Sequence, residues 1–419
     1  MPEIDLTHAT NFDLWKHSYA ARAENLAVSE VRALFSVVSR PEVVSLAGGM
    51  PDVSALNGAL IEKAFQSMMA SRGNYALQYG GGQGDPRLRE QIQEIMALEG
   101  VHGSVEDIMI TTGSQHALEL ISDLFLDQGD VVLVEAPSYV GAVGIFRHKE
   151  AHIEHVFTDD QGISPEALRE AAERLIETGH KVKMLYLVPN FANPSGVTLT
   201  AERRVEVLKI CQELGILIVE DNPYGQLYFG QEPPKAIRSL DEQGVVYLGS
   251  FSKILSPGLR VGYVLAPPAI REKLVLANES AILSPATFAQ MLVSEYLAIS
   301  DWQGQIATYR ELYKTKRDAA LGAVQQYLPK VHTTRPDGGF FLWLTLPEGL
   351  NSKEMLPLAV TELVAYTPGT AFYGDGRGAN NIRVCFSHPT AENVAVGIKR
   401  LSNVINQQIE LNETFGSRS

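Results

Sequence analysis

Cysteine is nearly absent from these 419 residues: there are two, Cys211 and Cys385. Each sits within an apolar run, so both are expected to pack as small apolar side chains rather than pair in a disulfide, which suits a reducing compartment. Long apolar runs are missing as well. No stretch approaches the ~20 consecutive apolar residues that cross a bilayer. The first residues, Met1-Pro2-Glu3-Ile4-Asp5, lack the basic and apolar regions of a signal peptide. Positive charge is in deficit: 35 Lys and Arg against 49 Asp and Glu give a formal net charge of −14. A surface of that sign repels phosphates, which argues against a nucleic-acid partner. Together these absences point to a soluble, cytoplasmic protein with neither membrane nor nucleic acid as partner.

What is present is globular. Apolar residues make up 45% and charged residues 20%, without bias toward disorder. The length exceeds one ordinary core, so two domains are expected. No internal repeat or low-complexity linker is visible. Residues 1–45 read as an N-terminal arm with helical pieces. From about residue 104 short apolar runs alternate with amphipathic stretches: Ile108-Met109-Ile110, Val131-Val132-Leu133-Val134, Met184-Leu185-Tyr186-Leu187-Val188, Ile216-Leu217-Ile218-Val219, Val245-Val246-Tyr247-Leu248 and Val261-Gly262-Tyr263-Val264-Leu265. Continuous apolar runs suit strands buried on both faces, and the alternation predicts an α/β fold with a mainly parallel sheet. Between two runs, Thr200 is placed to cap a helix that buries Val205, Leu208, Cys211 and Leu214 before Gly215 stops it. After about residue 300 the rhythm changes. A long helical pattern from Trp302 to Leu328 precedes Gly338-Gly339-Phe340-Phe341-Leu342-Trp343-Leu344, and Ile382-Arg383-Val384-Cys385-Phe386 alternates like a half-buried strand. The expected division is therefore an arm (1–45), a large α/β domain (46–300) and a smaller α+β domain (301–419), with the polar end from Asn406 frayed.

The informative polar residues come just past the apolar runs, where the carboxyl ends of strands in an open α/β sheet form a binding crevice. Ile110 is followed by Thr111-Thr112-Gly113-Ser114-Gln115 and then a helical spacing of Ala117, Leu118, Leu120, Ile121 and Leu124. A glycine turn opening a helix presents free amides and the positive end of a dipole, a seat for phosphate. Val134 is followed by Glu135-Ala136-Pro137-Ser138-Tyr139; this tyrosine suits stacking on an aromatic ligand and equally suits packing at the crevice rim. Val188 leads to Asn193-Pro194-Ser195-Gly196. Asn193, held extended before proline, can donate to a phenolate oxygen, although an ordinary Asn-Pro turn explains the pair as well. Val219 leads to Glu220-Asp221-Asn222-Pro223-Tyr224. A carboxylate at the end of a buried strand is costly unless it meets a cation, and a protonated pyridine nitrogen is one. Side chains alternate along a strand, so only one of Glu220 and Asp221 faces the crevice, and either remains open.

Leu248 leads to Gly249-Ser250-Phe251-Ser252-Lys253, and Arg260 follows seven residues later. Most lysines after a strand are surface residues. Here two serines and an arginine surround one, which suits a lysine that makes an imine beside groups able to hold a dianionic phosphate. Each segment has an ordinary explanation alone, but those explanations would all have to hold independently. The ligand that needs the whole set is pyridoxal phosphate, an electron sink held by an imine to lysine.

On these residues the chain resembles the class I/II, fold-type I pyridoxal-phosphate aminotransferases, and looks closest to the kynurenine/2-aminoadipate aminotransferase subgroup. The similarity runs from about residue 30 to 400. Beyond the lysine segment it rests on Ser45-Leu46-Ala47-Gly48-Gly49-Met50-Pro51, Ala76-Leu77-Gln78-Tyr79, Gly113-Ser114-Gln115, Asn193-Pro194-Ser195-Gly196, Glu220-Asp221-Asn222-Pro223-Tyr224 and Asn381-Ile382-Arg383. The segment after Tyr79, Gly80-Gly81-Gly82-Gln83-Gly84, departs from the family pattern in its glycine content. The resemblance implies that Lys253 holds the cofactor as an imine and moves the reacting proton, and that Asp221, not Glu220, pairs with the pyridinium nitrogen. It implies that Asn193 and Tyr224 bond the phenolate, that Tyr139 stacks on the ring, and that Ser114, Gln115, Ser250, Ser252 and Arg260 bind the phosphate. Arg383 then clamps the substrate carboxylate as a fork, Gly49 admits the substrate close to the backbone, and Arg32 lies in a segment covering the side-chain pocket. Tyr79 reaches the phosphate of a neighbouring subunit, which implies a homodimer with shared sites. No metal is implied.

The expected activity is transfer of the amino group of an L-amino acid, whether aromatic, branched or 2-aminoadipate-like, to a 2-oxo acid, with 2-oxoglutarate as the expected acceptor, in ping-pong half-reactions. A β-lyase or decarboxylase would use the same Lys, Asp and Asn. A regulator of the MocR type carries a similar half behind a winged-helix domain. About 45 residues precede the matched core here, and the chain is acidic, which disfavours that reading.

Overall fold

The computed structural model describes residues 13, 15–26 and 40–415. Arg32 lies outside the described residues. Numbered in chain order, the strands are β1 (Val44–Ser45), β2 (Ile108–Thr111), β3 (Val131–Ala136), β4 (His152–Asp159), β5 (Gly162–Ile163), β6 (Val182–Leu187), β7 (Leu217–Asp221), β8 (Val245–Ser250), β9 (Gly262–Leu265), β10 (His332–Thr333), β11 (Phe341–Thr345), β12 (Val364–Ala365), β13 (Thr367–Pro368) and β14 (Asn381–Cys385). The large sheet runs β2-β9-β8-β7-β6-β3-β4-β5. Its central pairs, from β8 through β7, β6 and β3 to β4, are parallel. β9 joins antiparallel to both β8 and β2.

Alternation along these strands feeds two separate cores. Val131, Leu133, Leu185, Leu187, Ile218 and Val245 pack with Leu168, Leu175, Val207 and Cys211 from the helices Pro165–Glu177 and Ala201–Leu214. Val132, Val134, Met184, Tyr186, Val219 and Val246 belong to the opposite core with Leu118, Ile121 and Phe146 from the helices Ser114–Phe125 and Val140–His148. Both faces being covered is the physical reason that these strands read as unbroken apolar runs. All six predicted runs contain a strand. β4 and β5 were not expected: they lie toward the sheet edge, where β4 is only partly buried and its polar sequence satisfies half-exposure.

The helix Ala201–Leu214 starts and stops as expected. Thr200 accepts from the Arg203 amide, and Gly215, at φ +68°, takes the left-handed position. Its buried face differs from expectation. Val205 is 55% exposed, whereas Arg204 is buried at 1%. The Arg204 guanidinium bonds the carbonyls of Leu199 (3.0 Å), Pro234 (3.0 Å), Lys235 (3.0 Å) and Pro189 (3.2 Å), together with Asn190 Oδ1 (2.6 Å). Five acceptors offset the desolvation that would otherwise hold an arginine at the surface.

A second sheet, β10-β11-β14-β13, is antiparallel throughout, and β1 pairs in parallel with β12. The helix Trp302–Tyr327 matches its predicted span. β14 is buried along its whole length, not half-buried as its alternation suggested. Ile382 and Val384 enter the main core, while Arg383 on the other face is covered by Ala47 and Asn193. The last helix runs Ala391–Phe415, so the expected fraying from Asn406 does not occur over these residues. Ile405 is fully buried and Ile409 packs against the core, which ties the helix down.

Arg204→Met keeps the stem but strips the acceptors of their donor. Breaking a buried, fully bonded charge site of this kind costs about 3–5 kcal/mol; urea unfolding should show that loss with an unchanged m-value.

Candidate active site

At one end of the large sheet, loops leaving β3, β6, β7 and β8 surround a cavity of about 580 Å³. β8 ends at Ser250, whose hydroxyl accepts from the Ser252 amide at 3.1 Å. This tight turn sends Lys253 into the cavity, where its Nζ donates to the Gly49 carbonyl at 2.9 Å. Burial, reinforced by the cations of Arg383 and Arg260, lowers the Lys253 pKa to about 8, so a substantial fraction of the amine is neutral near physiological pH.

The choice between Glu220 and Asp221 is decided by the pleat. Glu220 points away from the cavity and accepts from the amides of Ile237 (2.9 Å) and Arg238 (2.8 Å). Asp221 lines the cavity. Its Oδ2 accepts from Tyr186 at 2.9 Å, and its Oδ1 is buried without a partner. Burial raises the Asp221 pKa to about 6, against the lowering effects of the Tyr186 hydrogen bond and the Lys253 charge. An unpaired buried carboxylate oxygen is a costly arrangement unless a cation or donor completes it.

Asn193 and Tyr224 line the same space. The Asn193 Oδ1 accepts from Arg383 at 2.8 Å, which leaves the amide nitrogen of Asn193 as its remaining donor. Tyr224 is held edge-on by Phe340 and Phe341, and burial pushes its hydroxyl well above its ordinary pKa. Tyr139 faces the cavity and donates to Gln115 at 3.1 Å. Arg383 is 2% exposed and lies between the rings of Phe341 (4.5 Å) and Phe372 (4.8 Å). Its Nη2 donates to the Ala47 carbonyl (2.5 Å) and Thr367 (3.3 Å), while its Nε has no partner. Burial lowers its pKa from the ordinary arginine range.

Opposite these groups is a seat for an anion. The helix Ser114–Phe125 begins after Gly113 with no side-chain cap, so its first amides stay available where Ser114 and Gln115 line the cavity. Gly113 sits at φ +82°, and a Cβ there would stand 2.5 Å from a terminal nitrogen of Arg260. Gly262 allows β9 to press against this turn, since a Cβ would meet the Gly113 carbonyl carbon at 2.6 Å. Arg260 is itself left-handed at φ +52°, a strained conformation of the kind found at ligand clamps. Its side chain donates to the Thr112 carbonyl at 3.2 Å. Ser250 and Ser252 complete this side.

Thus twelve of the residues singled out in the sequence, all but Arg32 and Tyr79, line one cavity. Tyr79 does not reach the cavity of its own chain and is 75% exposed. Sequence reasoning missed Met50 in the lining, and Tyr186, Thr367, Phe341 and Phe372 behind it. A tyrosine inside an otherwise aliphatic run was the one signal available for Tyr186. Thr367 and Phe372 gave none, because only β13 pairing with β14 brings that segment to Arg383.

Residues 41–401 match the sequence model of the family aminotransferase class I and II. An aromatic-amino-acid aminotransferase 1 of Thermococcus litoralis is 38% identical over 94% of this chain and 95% of its own length. A 2-aminoadipate transaminase of Thermus thermophilus is 35% identical over 93% and 97%. Among solved structures, a Pyrococcus horikoshii kynurenine aminotransferase, determined with PMP, superposes with a TM-score of 0.90 at 38% identity, covering 94% of this chain and 98% of that one. Cavity and comparisons agree: the chain belongs to the class I and II aminotransferases.

Proposed function

We propose that this aminotransferase takes aromatic, branched or 2-aminoadipate-like L-amino acids as donors and 2-oxoglutarate as acceptor, in ping-pong half-reactions on pyridoxal phosphate. The observation that carries the cofactor assignment is the buried, unpartnered Oδ1 of Asp221 in the same cavity as Lys253. The carboxylate oxygen needs a cationic donor and the amine needs an aldehyde, and a protonated pyridine ring carrying an aldehyde provides both. The uncapped helix start beside Arg260 fits its phosphate. Relatives that act on aromatic amino acids and on 2-aminoadipate support the donor range.

When bound, pyridoxal phosphate supplies an aldehyde for amines and a ring that draws electrons from the substrate α-carbon. Lys253 anchors it and, once free and neutral, takes and returns the proton at that carbon. Asp221 keeps the ring nitrogen protonated through its negative charge. Asn193 and Tyr224 donate toward the phenolate oxygen, and Tyr139 covers the ring. Ser114, Gln115, Ser250, Ser252 and Arg260 hold the phosphate. Arg383 binds the substrate carboxylate, with Gly49 leaving room for its approach. Arg32 would cover the side-chain pocket. The exposure of Tyr79 and its neighbour Leu77 supports a homodimer in which Tyr79 completes the site of a second copy. Two free, buried cysteines support a cytoplasmic location. The separate sheets support division of the chain near residues 45 and 300.

Transfer is tested by products: an oxo acid should appear in step with consumption of 2-oxoglutarate, whereas release of ammonia or carbon dioxide would replace this reading with a lyase or decarboxylase. Covalent loading of cofactor-free protein should accelerate as pH rises through about 8 and level off above it, because only the neutral amine attacks. Borohydride trapping with peptide mapping should label Lys253, and Lys253→Ala should show no label at any pH. Asp221→Ala should lose turnover far more than cofactor binding, read by single-turnover kinetics beside a binding titration. Arg383→Lys keeps the charge and loses the fork, so amino-acid affinity should fall by about 1–3 kcal/mol, measured as KM and as binding to the loaded enzyme.

A further inference from the structure

Tyr186 occupies a position where a hydroxyl has no packing purpose. It lies on β6, paired with Val219 of β7, so it shares a sheet face with Val219 and Asp221. Other strand residues in the core on this face, including Val132, Val134, Met184, Val219 and Val246, are aliphatic. The ring is fully buried and packs edge-on against Phe146, with centroids 5.7 Å apart. A phenylalanine would fill that space equally well, and a buried hydroxyl without a partner is costly. The partner here is Asp221 Oδ2 at 2.9 Å. Among the described residues no other side chain or amide donates to this carboxylate. Tyr186 therefore takes one oxygen and leaves the other, Oδ1, as the unpartnered acceptor of a residue that lines the cavity.

We propose that Tyr186 is a positioning residue for the transamination chemistry: its hydroxyl orients the Asp221 carboxylate and keeps it ionised against the cofactor ring nitrogen. The inference rests on the pyridoxal-phosphate reading of the cavity. The phenol is suited to permanent donation. Burial first, and then the Asp221 charge, hold its proton well above the ordinary tyrosine range. Around the pair, Lys253 also favours the Asp221 anion, while Tyr139 and Glu135 face the phenol. Glu135 is occupied with the Val188 amide at 2.9 Å. A carboxylate that loses its donor becomes more basic, so the shared proton moves from the ring nitrogen toward Asp221.

The test is Tyr186→Phe, which keeps the ring, compared with wild type and Asp221→Asn. In cofactor-free protein labelled at aspartate carboxyl carbons, the Asp221 resonance, assigned by its loss in Asp221→Asn, should titrate about one pH unit higher or more in Tyr186→Phe. In protein loaded with ring-¹⁵N pyridoxal phosphate, the ring-nitrogen shift should move in Tyr186→Phe from the protonated toward the neutral position. An unmoved Asp221 titration together with a wild-type nitrogen shift overturns the role of Tyr186 and leaves the cavity reading intact. A wild-type ring nitrogen that is neutral, or indifferent to Asp221→Asn, overturns both. A merely structural role changes melting temperature without moving either resonance.

Discussion

The site is organised around a carboxylate that the fold has dried out and left half-satisfied. β7 is packed between helices on both faces, with Tyr186 of β6 beside it, and its last residue, Asp221, is 5% exposed. Asp221, ending this strand, has one oxygen bonded and one bare. In such surroundings a charge persists only where a counter-charge is close. Lys253 supplies part of it and, by the same desolvation, surrenders part of its own proton affinity. The acidity of the carboxyl and the proton affinity of the amine thus share their largest cause, the exclusion of water from the strand ends.

Two buried arginines show how the fold separates scaffold from site. Arg204 is surrounded by four carbonyls and an amide oxygen, and these acceptors meet all three of its nitrogens. Arg383 is equally buried but is held mainly by two aromatic faces, one carbonyl, Thr367 and Asn193, with Nε unpartnered. Aromatic faces stabilise a guanidinium without consuming its N–H donors. Hydrogen-bonding capacity therefore remains unspent at Arg383, while at Arg204 it is spent on the fold.

The cavity is built from two sheets at once. Lys253, Asp221 and Asn193 come from loops of the large sheet, whereas Arg383 comes from β14 of the small one, and Gly49 from the segment after β1. The Asn193–Arg383 hydrogen bond at 2.8 Å and the Lys253–Gly49 contact at 2.9 Å are direct links between these parts. Cavity geometry is consequently tied to how the two sheets pack, and not to either sheet alone.

Much of this was legible in the sequence. The six apolar runs announced strands because burial on both faces removes the need for polar alternation, and the strand ends and loops after them carried polar residues of the cavity because strand ends are where a parallel sheet opens. The glycine turn at Gly113 and the Thr200 to Gly215 helix bounds were readable because they depend on local backbone chemistry. Between Glu220 and Asp221 the residues themselves left the choice open and only the family resemblance pointed to Asp221, which the pleat of β7 turns to the cavity. Tertiary structure alone decided the rest. The burial of Arg204 and Arg383 depended on acceptors and rings from segments distant in the chain, and the pairing of Tyr186 with Asp221 on the register between β6 and β7. Local spacing encodes which residues share a face; what meets that face is set by packing between elements that no short window of sequence contains.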